Sequence, residues 1–154
     1  MSRGVSEGAP RSILFACTLN RTRSPMAEAL AAHLIGPGVE IMSCGLEPCE
    51  EFDPFVTASL NEIGVPLDDR PGRGFESLAD HRFEAVVALT PEAHAEAVRL
   101  LETRANIAEF WPVCDPTQVE GSRDQRLEAY RELRDELMRR IRARFAPALQ
   151  QAST

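Results

Sequence analysis

An apolar run, Ile13-Leu14-Phe15-Ala16, ends at Cys17, and Ser24-Pro25 soon afterwards opens a stretch with apolar residues at Met26, Ala27, Leu30, Leu34 and Ile35. The first stretch has the composition of a buried strand. The second places its apolar residues on one stripe of a helix, which Pro25 is suited to begin. A buried strand that hands over directly to a helix belongs in a sheet whose faces are covered by helices. The connecting residues, Cys17-Thr18-Leu19-Asn20-Arg21-Thr22-Arg23, then sit at the carboxyl end of the strand and the amino end of the helix.

The same alternation continues along the chain. Apolar runs predict further strands near 39–43, 84–89 and 107–111, after a first strand over 12–16. Helices are expected over 24–35, over 54–63 with Phe55, Val56, Leu60 and Ile63 inward, and over 91–101 with Ala93, Ala97, Val98 and Leu101 inward. Asp53-Pro54 and Thr90-Pro91 each read as a cap followed by a first helical residue. Ser122-Arg123-Asp124-Gln125 reads as a capping box before a last helix carrying Leu127, Tyr130, Leu133, Leu137, Ile141 and Phe145. The pattern predicts a three-layer α/β/α fold around a central four-stranded parallel sheet.

A chain of 154 residues, 44% of them apolar, has material for one core and no room for a second. One α/β domain is expected over 11–148, between tails at 1–10 and 149–154. Residues 1–10 lack the apolar centre of a secretory signal, and no run is long enough to span a bilayer, so the expectation is a cytoplasmic protein without a membrane partner. Between Pro66 and Asp80, the segment Asp68-Asp69-Arg70-Pro71-Gly72-Arg73-Gly74 reads as a mobile loop with Arg70 and Arg73 as solvated charges.

Net charge is −7, and all seventeen basic residues are Arg. Without a lysine the chain can build neither a Walker phosphate loop nor a Schiff base. An acidic surface also argues against nucleic acid as a partner. Four Cys with no CxxC pair argue against a zinc site or a disulfide scaffold and for reduced thiols. His33, His81 and His94 are scattered without ligand spacing.

The loop after the first strand has the composition of an anion trap. Its backbone N–H groups, from Thr18 through Ser24, can curl around a tetrahedral oxyanion at a helix N-terminus, and the Arg23 guanidinium can grip two oxygens as a fork. Arg21 adds positive charge. The same field favours the Cys17 thiolate, the form that attacks. Asn20 tolerates the left-handed backbone of a tight loop, and the Ser24 hydroxyl is placed either to donate to the Cys17 sulfur or to cap the helix. A leaving oxygen needs a proton. The candidate donor is Asp115, which follows Phe110-Trp111-Pro112-Val113-Cys114 and so stands at the carboxyl edge of the sheet, where Cys17 also emerges. Asp53 and Asp124 are better explained as helix-terminal residues.

The stretch from Ile13 to Ala29 resembles the active-site segment of the low-molecular-weight protein tyrosine phosphatases and the related thioredoxin-coupled arsenate reductases. Ser43-Cys44-Gly45, Asp53-Pro54 with Glu62-Ile63-Gly64-Val65, and Trp111-Pro112-Val113-Cys114-Asp115-Pro116 extend the resemblance over roughly 11–146. It implies a hydrolase that cleaves a phosphorylated protein or a small phosphate ester through a phosphocysteine, with Asp115 as the acid and no metal or organic cofactor. Leu19 stands where the family usually has Gly, so either the loop accepts a side chain that narrows or walls the pocket, or its shape differs. Thr117 and Gln118 stand where its phosphatases carry aromatics.

The arsenate reductases are the alternative, with thioredoxin as partner. Their resolving cysteines follow the third strand, where Leu89 to Ala105 contains none. A third reading is a catalytically weak oxyanion-binding module. Cys44, on the strand beside the first, reads either as a small core residue or as a redox partner for Cys17. Cys49 is expected exposed on a loop, and Cys114 packed beside the acid.

Overall fold

The computed structural model describes residues 10–51, 53–67, 70–101 and 107–146. Four strands, β1 (Ser12–Cys17), β2 (Glu40–Gly45), β3 (Ala85–Ala88) and β4 (Ile107–Phe110), alternate with α1 (Arg23–Ile35), α2 (Pro54–Asn61), α3 (Pro91–Leu101) and α4 (Arg123–Arg144). The sheet runs β2-β1-β3-β4 with every pairing parallel. All carboxyl ends therefore share one edge, and β1 stands in the interior of the sheet.

Alternation along β1 divides the core. Ile13, Phe15 and Cys17 pack with Met26, Ala27 and Leu30 of α1, Val56 and Leu60 of α2, and Tyr130, Leu133, Leu137 and Ile141 of α4. Leu14 and Ala16 face the other way, against Cys44, Val86, Ala88, and Ala93 and Ala97 of α3. The result is the three-layer arrangement expected from the sequence. Among the described residues no helix is long and apolar enough to cross a membrane.

The predicted caps form. Asp53 accepts from the Phe55 N–H, Thr90 from the Ala93 N–H, and Ser122 and Gln125 complete a capping box. Three expectations are corrected. Strand β2 begins one residue later and ends two residues later than predicted, so Cys44 lies within it. Val98 is exposed, because the small residues Ala93 and Ala97 define the face that lies on the sheet and Val98 is rotated about 100° from Ala97. Ile63 falls beyond the end of α2 and is exposed. The tails expected before Pro10 and at 149–154, the side chain of Leu101, and Asp68 and Asp69 lie outside the described residues.

Candidate active site

The segment from Cys17 to Arg23 is held from behind by a second loop. Leu46 N–H donates to the Cys17 carbonyl at 3.3 Å, Glu47 N–H to Thr18 at 2.8 Å and Cys49 N–H to Leu19 at 2.9 Å. In a trans peptide the carbonyl and the following N–H point in opposite directions. The N–H groups of Thr18, Leu19 and Asn20 are thereby turned away from residues 46–49 and towards the concave side of the loop. Asn20 completes the turn with a left-handed φ of 53°. Gly45 permits the close approach, since a Cβ there would lie 2.6 Å from the Asn20 nitrogen.

The concave side is a pocket lined by Cys17, Thr18, Leu19, Arg21, Thr22, Arg23, Asp115 and Thr117. Cys17 is buried, with its sulfur 2.9 Å from the Ser24 hydroxyl. Ser24 is not the cap of α1, so of its two expected roles it takes the one beside the sulfur. The Arg23 Nη1 donates to the Val113 carbonyl at 3.5 Å, and its Nη2 lies 3.6 Å from Asp115 Oδ2. The other Asp115 oxygen accepts from the Thr117 N–H and hydroxyl at 3.0 and 2.7 Å. Trp111 N–H bonds the Ala88 carbonyl and so carries the chain beyond β4 along the sheet edge, which brings Asp115 to the pocket.

The flanks of the loop are tied down individually. Arg21 Nε donates to the Glu51 carbonyl at 3.2 Å, and the Thr18 hydroxyl to Thr90 at 3.3 Å. Thr22 and Tyr130 both donate to Oδ2 of the buried Asp53, at 2.9 and 2.7 Å. Burial, and then the hydrogen bond to Asp53, push the Tyr130 phenol well above its ordinary range and keep it protonated. Beneath the loop, Asn20 Nδ2 donates to Ser24 and to Ser43, each at 2.9 Å, while Arg70 bonds Glu28 and Ser43.

The structure thus gathers Cys17, Thr18, Leu19, Arg21, Thr22, Arg23 and Asp115 around one cavity, with Asn20 and Ser24 supporting it from below. It treats the other thiols differently. Cys44 packs in the cluster on the opposite face of the sheet from Cys17, and burial first, then the neighbouring Cys17, pushes its thiol well above the ordinary range. Cys49 is half-buried against the loop, and Cys114 is exposed and not packed beside Asp115. All four are free thiols. Arg70 and Arg73, expected in solvent, are instead placed beneath the loop, because the bridge between Gly45 and Gly74 folds their segment against it. Glu28, Ser43, Thr90 and Tyr130 were not marked by sequence reasoning as parts of this site. A glutamate at Glu28, between the buried Pro25 and Ala29 of α1, was the signal available. Among the described residues no group of His, Cys, Asp or Glu side chains is arranged to hold a metal ion.

The chain resembles known proteins in sequence and in fold. The model of the family described as low molecular weight phosphotyrosine protein phosphatase matches residues 12–153. An arsenate reductase of Shouchella clausii is 30% identical over 131 residues, covering 84% of this chain and 91% of that protein. The YwlE arginine phosphatase from Geobacillus stearothermophilus superposes with a TM-score of 0.74 at 29% identity, over 92% of this chain and 94% of that one. An arsenate reductase in its oxidised state superposes with a TM-score of 0.70 at 24% identity, over 90% and 98%, a likeness of fold alone. The sequence relatives lean towards the reductase alternative more than towards the phosphatase reading.

Proposed function

The chain belongs to the low molecular weight phosphotyrosine protein phosphatase family, a family of enzymes, and within it we propose that this protein hydrolyses phosphomonoesters through a phosphocysteine intermediate. The observation that carries this reading is the presence of Cys17, Arg23 and Asp115 on one pocket, with Arg23 3.6 Å from Asp115. An ester needs a proton donor for its leaving oxygen, whereas arsenate reduction needs a second thiol.

The Cys17 thiolate attacks phosphorus in line, and the bond to the leaving oxygen breaks as Asp115 protonates it. Asp115, now a carboxylate, takes a proton from water, which attacks the phosphocysteine and releases phosphate and thiolate. Arg23 and the N–H groups of Thr18, Leu19 and Asn20 hold the equatorial oxygens throughout. Arg23 exchanges its 3.6 Å contact with Asp115 for the substrate, which frees the carboxyl for proton transfer. Among the described residues, those lining the pocket include no aromatic side chain, and Leu19 stands exposed at its rim. A phosphotyrosine ring would find no stacking partner among those described residues, so small phosphate esters and phosphoproteins modified at other side chains join phosphotyrosine in the substrate panel, phosphoarginine among them.

Arsenate reduction is the second reading, favoured by the 30% identical relative that carries that name. In that reaction Cys17 captures arsenate, a second thiol attacks the Cys17 sulfur, and arsenite leaves as the two thiols become a disulfide. With no Cys between Leu89 and Ala105, the second thiol would come from Cys49, from Cys114 or from a partner such as thioredoxin.

Hydrolysis of an aryl phosphate by wild type, Cys17→Ser and Asp115→Asn tests the proposal, with arsenate plus thioredoxin or glutathione run in parallel. Vanadate-sensitive turnover that Cys17→Ser abolishes is the expected result. Arsenate reduction without hydrolysis would transfer the protein to the second reading, and silence in both would leave an oxyanion-binding module.

A further inference from the structure

We infer that Arg70 is a positioning residue for the Cys17 loop, fixing the Asn20 amide and neutralising Glu28 so that the Ser24 hydroxyl is presented to the Cys17 sulfur. The inference rests on the reading that Cys17 is the reacting group. Arg70 does not line the pocket, so it acts through other residues.

The hydrogen bonds have a determined direction. The Asn20 Oδ1 receives the Arg73 N–H at 2.8 Å and Arg70 Nη1 at 3.4 Å. Both partners can only donate, so the amide oxygen must face them and the amide nitrogen must face Ser24 and Ser43. Ser43 then accepts from Asn20 and from Arg70 Nη2, each at 2.9 Å, and donates to Glu28. Ser24 accepts from Asn20, and its own proton is left for the Cys17 sulfur at 2.9 Å or the Cys44 carbonyl at 3.3 Å. A flipped amide would break this order at both ends.

Charge matters as well as direction. The Glu28 carboxylate pairs with Arg70 at 2.8 Å, with about a fifth of each side chain exposed. Without Arg70 a poorly solvated negative charge would stand behind the loop, and its field would oppose both the thiolate and a bound oxyanion. Arg70 is held for this task by its own segment. Its Nη1 also donates to the Pro71 carbonyl, and the Gly72 N–H donates to Cys49.

The test needs no turnover. Iodoacetamide labelling of Cys17, followed by peptide mapping and measured with and without orthovanadate, reads thiolate presentation and oxyanion affinity together. Arg70→Met is expected to lower the labelling rate and the vanadate affinity about three to tenfold, and kcat by a similar factor with KM little changed. Arg70→Lys restores the charge without the fork and should recover part of each. Adding Glu28→Gln to Arg70→Met removes the unpaired carboxylate and should also recover part, whereas a merely structural loss would deepen.

Unchanged labelling and vanadate affinity in Arg70→Met would overturn the inference, as would losses that simply follow melting temperature across the set. Should Arg70→Met not fold, Arg70→Lys carries the test, with a loss of about two to threefold expected and wild-type labelling overturning it. Arg99→Met, which removes an exposed ion pair with Glu96, serves as the control. Absence of hydrolysis in wild type would count against the phosphatase reading alone, because labelling and vanadate protection do not depend on it.

Discussion

The Ser24 hydroxyl lies 2.9 Å from the Cys17 sulfur while accepting a hydrogen bond from Asn20, so its proton is available to a thiolate formed there. Ser24 is wholly buried and does not cap its helix, and its removal should therefore act on reactivity more than on stability. For Ser24→Ala, kcat is expected to fall about ten to a hundredfold, with KM little changed. Steady-state kinetics together with a urea melt check this. A loss of turnover no larger than the loss of folded fraction would count against it.

Arg23 and Asp115 face each other at 3.6 Å across the pocket mouth. Asp115→Asn removes the proposed proton donor and also releases Arg23 from a competing carboxylate. Turnover should fall about a hundredfold while vanadate binds at least as tightly as to wild type. Arg23→Lys should weaken vanadate sharply, since an ammonium cannot reproduce the two-point grip of a guanidinium. Equal weakening in both variants would contradict these separate roles.

Gly45 lets the second loop lie against the first. A Cβ there would meet the Asn20 nitrogen at 2.6 Å and the Leu19 carbonyl carbon at 2.9 Å. Gly45→Ala should cost about 1–3 kcal/mol in stability, because backbone must move to admit it. It should also weaken phosphate binding, which titration calorimetry would detect, because the N–H groups that move are those facing the pocket.

Asp53 is a buried carboxylate with Thr22, Tyr130 and the Phe55 N–H as donors. Asp53→Ala should cost about 3 kcal/mol, since it removes a helix cap and strands two buried hydroxyls. Tyr130→Phe should cost about 1–2 kcal/mol. Urea denaturation of both variants and of the double variant should reveal less than additive losses, as both act on one network.

Glu62 at the end of α2 is clamped by Arg131 and Arg134 of α4. The hydrogen bond from Arg131, followed by that from Arg134, holds its carboxyl down to about 2 from an ordinary 4.5. A carboxyl lowered in the folded state contributes its full stabilisation above the ordinary value and loses it as pH falls through the lowered one. The difference in urea midpoint between wild type and Glu62→Gln should therefore be constant above about pH 5 and close between about 4.5 and 2. High salt should shrink it throughout, because the pair is solvent-facing.

Local chemistry was enough to read the strand before Cys17, the helix after it, the caps at Asp53, Thr90 and Ser122, and the tight turn between Cys17 and Arg23. Each of these depends on neighbours a few residues apart, where periodicity and cap chemistry act. Tertiary structure decided the rest. Cys44 and Cys17 stand on adjacent strands, yet the alternation of the pleat sends them to opposite faces, and that outcome depends on register. Arg70 read as a solvated charge because its partners, Asn20, Glu28 and Ser43, are 27 to 50 residues away. A loop charge has no local signature of the contacts it will make. Only closure of the chain, through the bridge between Gly45 and Gly74, brings that guanidinium beneath the loop.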